Sequence, residues 1–106
     1  MGFRPALVLR KCITTGATGY DWVIIDSARN TYNIANSKLY PQSSGAENVN
    51  SDNSDSGDNS AIDILSNGFK VRFQNGRMNG AGQTYIYAAW AEAPTVNLYG
   101  AQANAR

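Results

Sequence analysis

The side chains that could do chemistry here are carboxylates, because the 106-residue chain contains no histidine. Without one, a Ser-His or Cys-His nucleophile cannot be assembled, and the commonest general base is missing. Hydrolysis would then need two acids facing each other across a cleft, as in a glycosidase. The eight acids are Asp21, Asp26, Glu47, Asp52, Asp55, Asp58, Asp63 and Glu92. Of these, Asp26 and Asp63 both flank strand-like runs and could in principle approach each other. Turn capping, or pairing with Arg29 and Arg72, accounts for them more simply. No catalytic residue is assigned, and the chain reads as a non-enzyme.

Residues 52–63 partly fit a calcium loop, with Asp52 first, oxygen-bearing side chains at alternate positions, Gly57 sixth and Asp63 twelfth. Hard cations want such oxygens. The twelfth residue is not the bidentate Glu such loops use, and no helical periodicity flanks it. A solvated acidic loop is the simpler reading, and no metal or cofactor is assigned.

Aromatic side chains offer a different chemistry. Sugars stack their C–H faces on Trp and Tyr while Asn, Asp and Arg bond the hydroxyls. Trp22 and Trp90 lie in apolar, strand-like runs, where burial in a core is the simpler role. Tyr32 and Tyr40 instead sit near Arg29, Asn30 and Asn33 in an irregular stretch. The candidate ligand-binding set is therefore Arg29, Asn30, Tyr32, Asn33 and Tyr40, although the tyrosines could equally anchor the loop to a sheet. Lys70, Arg72 and Arg77 could meet phosphate-rich glycans, but charges on an exposed strand also blunt edge pairing.

Positioning these residues falls to a small scaffold. A chain of this length fits one domain and buries only about two-thirds of the surface its unfolded form exposes. With 42% hydrophobic and 16% charged residues it is weakly charged yet too aromatic for disorder. A net charge of +1 gives no basic field for nucleic acid and no polybasic patch for a membrane. No apolar run approaches the roughly 20 residues of a membrane helix. Arg4, Pro5, Arg10 and Lys11 interrupt the N-terminal segment, unlike a signal peptide. Neither a nucleic-acid partner nor membrane insertion is expected. The lone Cys12 reads as a buried thiol.

Apolar alternation then marks the elements. Residues 6–13 read as a strand with Leu7, Leu9 and Ile13 beside Lys11 on one face, and Ala6, Val8 and Cys12 beside Arg10 on the other. A turn at 14–19 leads to a second, central strand at 20–26, with Tyr20, Trp22 and Ile24 opposite Val23 and Ile25. Residues 28–60 form a long polar loop, and loops of that length are usually functional. Residues 61–65, a tight turn at 66–68 and residues 69–74 read as a hairpin. Residues 83–91 supply the last strand, Pro94 ends it, and 95–106 form a tail. The chain is thus a single all-β module over 1–106, a small antiparallel β-sandwich-like domain. Its expected core is Leu7, Leu9, Val23, Ile25, Phe69, Val71, Phe73, Ile86 and Trp90, and so thin a core favours a homo-oligomer.

Several runs carry a family likeness. Gly2-Phe3-Arg4-Pro5 is followed by Trp22-Val23-Ile24-Ile25-Asp26-Ser27-Ala28-Arg29 and by Leu39-Tyr40-Pro41 with Ala46-Glu47. Then come Ile62-Asp63-Ile64-Leu65-Ser66-Asn67-Gly68-Phe69-Lys70-Val71-Arg72 and Thr84-Tyr85-Ile86-Tyr87-Ala88-Ala89-Trp90-Ala91-Glu92-Ala93-Pro94, with Ala103-Asn104-Ala105-Arg106 at the close. On these residues, which span nearly the whole chain, the sequence resembles phage tail-fibre and tail-protein C-terminal modules of the marine and metagenomic type. The resemblance implies a virion component made in the host cytoplasm, a lectin-like sandwich at the distal end of a fibre, assembled as a trimer. It carries over no catalytic residue and no defined receptor. Members usually continue a longer protein, whereas this chain starts at Met1, and its serine-rich insertion is longer than expected. The expected function is a receptor-binding module contacting host cell-surface polysaccharide and other virion proteins. The alternative is a structural virion protein, decorating a capsid or attaching within a tail, without receptor binding.

Overall fold

The computed structural model describes residues 1–16, 20–49, 61–74 and 78–92, with the side chains of 48 and 49 excepted. Much of the expected turn at 14–19, most of the calcium-like run 52–63, Arg77, Pro94 and the tail at 95–106 lie outside the described residues. Seven strands follow in order: β1 (Pro5–Cys12), β2 (Val23–Asp26), β3 (Ser37–Lys38), β4 (Asn48–Val49), β5 (Ile62–Leu65), β6 (Gly68–Val71) and β7 (Tyr85–Ala91). Every strand pairing among them is antiparallel, and no helix occurs among the described residues. The fold is all-β.

The first layer is a three-stranded sheet in the order β2-β1-β7. Val8 pairs with Ile25 on one side and Ala89 on the other, and Arg10 likewise with Val23 and Tyr87. Because side chains alternate across a sheet, these residues and Cys12 share one face. Val8, Arg10, Cys12, Val23 and Ile25 are all buried there. The opposite face carries Leu7, Leu9, Ile24, Ile86, Ala88 and Trp90.

The second layer is the β5–β6 hairpin, closed by the two-residue connection Ser66-Asn67 between paired Leu65 and Gly68. Its register sets Ile62 opposite Val71 and Ile64 opposite Phe69, so four apolar side chains share a face. That face packs on Val8, Val23, Ile25 and Ala89, with Ala35 and Met78 completing the cluster. Fully burying one such aliphatic side chain contributes about 1.5–3 kcal/mol, so this seam is the main source of stability.

One short stretch joins the layers. Ala35 exchanges both backbone hydrogen bonds with Ile62 of β5, at 2.8 and 3.0 Å. Leu39 does the same with Ile24 of β2, at 2.9 and 3.0 Å. The chain crosses from one layer to the other between them, through β3, which pairs with β4. Strands that switch sheets in this way make the corners of sandwiches.

Three expectations need correction. β1, not β2, is the middle strand of its sheet. Of the expected core, Val23 and Ile25 are buried, and Phe69 and Val71 pack against the cluster while half-buried. Leu7 and Leu9 are only half-buried on the outer face, whereas Ile86 and Trp90 are 43% and 52% exposed. Phe73 lies past the end of β6 and is half-buried. The reason is physical: β1 and β7 are apolar on both faces, and the hairpin covers only the face that bears Val8. Finally, the loop expected at 28–60 contains β3 and β4 within its described part. Cys12 is buried as expected.

Candidate functional site

The loop that follows β2 is fastened by its own polar side chains. Asp26 Oδ1 accepts the Arg29 backbone N–H at 2.8 Å, and Oδ2 accepts Arg29 Nε–H, closing an Asx-type turn. Partial burial works to raise the Asp26 pKa, but the two Arg29 hydrogen bonds, its positive charge and the Ala28 N–H outweigh it, so the carboxyl lies below its ordinary value. Arg29 Nη1 also donates to Glu47 at 3.1 Å. Asn30 Oδ1 accepts the Ser37 N–H at 2.8 Å while its Nδ2 donates to Asn36 Oδ1 at 3.2 Å. Asn33 reaches β5, donating to the Ile64 carbonyl and accepting the Ile64 N–H, both at 2.9 Å.

The five sequence-derived candidates thus divide. Arg29, Asn30 and Asn33 use polar groups to hold the loop, and Tyr40 packs, half-buried, against the core. Tyr32 is 85% exposed and is presented to solvent on this braced segment. The arginine pairing expected for the two strand-flanking acids is present, since Asp63 accepts from Arg72 Nη1 at 2.8 Å as Asp26 does from Arg29. Among the described residues, no group of three or more acids or cysteines gathers as a metal site.

A second feature was not singled out from sequence. Arg10, Phe69, Val71, Met78, Tyr85 and Tyr87 line a cleft of about 320 Å³. A neighbouring hollow of about 360 Å³ is lined by Met1, Leu65, Asn67, Phe69 and Tyr87. Phe69 and Tyr87 belong to both, their rings meeting edge to face at 5.3 Å between centroids. Arg10 is only 5% exposed, and its Nε and Nη1 are enclosed without a hydrogen-bond acceptor although the residue has other polar or electrostatic contact. Tyr85 accepts the Gly80 N–H at 2.8 Å, and burial pushes its phenol above the ordinary value, so it is neutral at physiological pH. The sequence places Arg10 opposite Leu7, and the two-residue alternation along 85–90 sets Tyr85 and Tyr87 opposite Trp90. It held no signal that those faces would border an opening.

A third feature is the outer face of the three-stranded sheet. Ile86 and Trp90 stand exposed on it, with exposed Leu39 beyond Ile24 and Ile13 past the end of β1. Lys11 Nζ lies 5.7 Å from the centre of the Trp22 ring, a cation–π contact.

Compared with known proteins, residues 1–94 match the model of a family described as a domain of unknown function, DUF7483. No curated protein and no solved structure matches the chain.

Proposed function

This chain belongs to the DUF7483 family, and we propose that it is a non-catalytic phage virion module, at the tip of a tail fibre, that binds a host surface glycan. Its likeness to tail-fibre C-terminal modules supports the virion setting. The observation that carries the binding role is Tyr32, an aromatic ring 85% exposed on a loop braced by Asn30 and Asn33. An apolar ring held in water by a preorganised loop loses little freedom on meeting a sugar face. Arg29 and the two asparagines set its position. Homotrimeric assembly would present three such rings together, raising avidity for a repetitive polysaccharide. The test is binding of the purified protein to host cells and to isolated surface polysaccharide. Tyr32→Ala should abolish most of it while leaving the melting temperature unchanged, and undiminished binding would refute the role.

The structural alternative is favoured by a separate observation, the exposed apolar group of Ile86, Trp90 and Leu39 on the outer face. Such patches mark surfaces that meet other proteins. A module that attaches to other virion proteins through this face, and binds no glycan on an array, would fit that reading.

A further inference from the structure

We infer that the hollow at the tip of the β5–β6 hairpin is a second glycan subsite, which takes one uncharged pyranose ring with its C–H face against Tyr87. The choice of a sugar rests on the glycan-binding reading above, but the place does not. No residue of the 29–40 loop lines this hollow, so it stands or falls apart from Tyr32.

Two elements build the site. Leu65 and Phe69 come from the hairpin strands, Asn67 from the turn between them, and Tyr87 from the edge strand β7. Met1 closes the remaining side, because the Gly2 N–H donates to the Asn67 carbonyl at 3.0 Å and ties the N-terminal segment to the turn. A Cβ at Gly68 would already touch Met1 Cε, at 3.6 Å, so a side chain at that position would take up part of the space. Tyr87 is 56% exposed, and its ring meets that of Phe69 edge to face at 5.3 Å between centroids. The contact fixes the tilt of an aromatic ring that still looks onto water, so little freedom remains to be lost when a sugar arrives. The Asn67 side chain lies on an exposed turn, and among the described residues neither its amide nor the Tyr87 hydroxyl has a hydrogen-bond partner. An amide and a hydroxyl both donate and accept, so each can meet a sugar hydroxyl at the rim of the stacked face. None of the lining side chains is charged, so the hollow reads a ring and its hydroxyls rather than an ionic group. Its volume, about 360 Å³, lies at the small end of the roughly 300–1,000 Å³ range of small-molecule sites and suits one such ring.

A sugar and a phenolic compound share a flat apolar face with hydroxyls, and one titration separates them. The ¹⁵N-labelled full chain would be titrated into the millimolar range with the methyl glycosides of galactose, glucose and mannose, and with p-cresol, following the amides of Leu65, Asn67, Phe69 and Tyr87. At least one glycoside should shift these amides together and saturably. Tyr87→Ala should weaken that glycoside by about tenfold or more, through loss of the stacking face, and Asn67→Ala several-fold, through loss of a hydrogen bond. Asn67→Ala lies on an exposed turn and keeps the test decisive if Tyr87→Ala does not fold. Tyr32→Ala should leave the titration unchanged, so loss of cell binding in that variant with the hairpin shifts intact would support two separate sites. Hairpin shifts that vanish in Tyr32→Ala, shifts from p-cresol alone, or no saturable hairpin shift with any glycoside would overturn the subsite.

Discussion

Asn33 stands in for a strand beside Ile64: its side-chain amide donates to the Ile64 carbonyl and accepts the Ile64 N–H, reproducing the pair of bonds that Ala35 makes two residues on with Ile62. β5 is thereby paired along both edges, by β6 on one side and by the 33–35 segment on the other. Asn33→Ala removes both bonds from a strand whose side chains are largely buried. The expected cost is about 1–3 kcal/mol in urea unfolding, because two backbone groups lose their partners. Tyr32→Ala next door should change stability by less than about 0.5 kcal/mol, as a surface substitution does.

Ile62 and Trp90 make a second contrast. Ile62 is fully buried in the seam between the layers, so Ile62→Ala should cost about 2–5 kcal/mol from lost transfer energy and a residual cavity. Trp90 is half exposed, so Trp90→Ala should cost the dilute protein about 1 kcal/mol or less. Comparable losses from the two would contradict the placement of the core on the Val8 face.

The outer face predicts association. Sedimentation equilibrium of the wild type should give an oligomer, and a trimer is the expected state. Charged side chains at the centre of an interface are strongly disfavoured. The double substitution Ile86→Glu and Trp90→Glu should therefore yield a folded monomer with an unchanged strand signature in circular dichroism. A wild type that sediments as a monomer at high concentration would exclude this use of the face.

Acid should loosen the loop after β2. The Asp26 pKa is depressed in the folded protein, so its contribution to stability is fully present above the unfolded carboxyl value, about 4. That contribution is lost as pH falls through the lower, folded value. Asp26→Asn keeps the shape but not the charge. The variant should be less stable near neutrality and should show a shallower loss of stability below about pH 4, read from midpoints of urea unfolding across pH.

Periodicity by itself determined a good deal of this molecule. The alternation of Val23 and Ile25 against Trp22 and Ile24 is correct in the structure, as are the tight turn after Leu65 and the inward set of Phe69 and Val71. These are local consequences of a two-residue repeat and of turn chemistry, so neighbouring residues suffice to specify them. The pairing of Asp26 with Arg29 was legible for the same reason, being three residues apart across a turn.

Tertiary structure decided which side of a two-sided strand is the inside. Along β1, Leu7 and Leu9 outbid Val8 and Cys12 in hydrophobicity, yet the face that also carries Arg10 is the one buried. Nothing local sets this, because the choice depends on where the β5–β6 hairpin docks, and Ile62, the first residue of that hairpin, lies 54 residues beyond Val8 in sequence (62 against 8). The same docking exposed Trp90 and opened the cleft beside Arg10 and Tyr87. It likewise turned Asn33 from a candidate sugar ligand into a brace on Ile64, since a side-chain amide can satisfy a strand edge only once the fold has brought that edge to it.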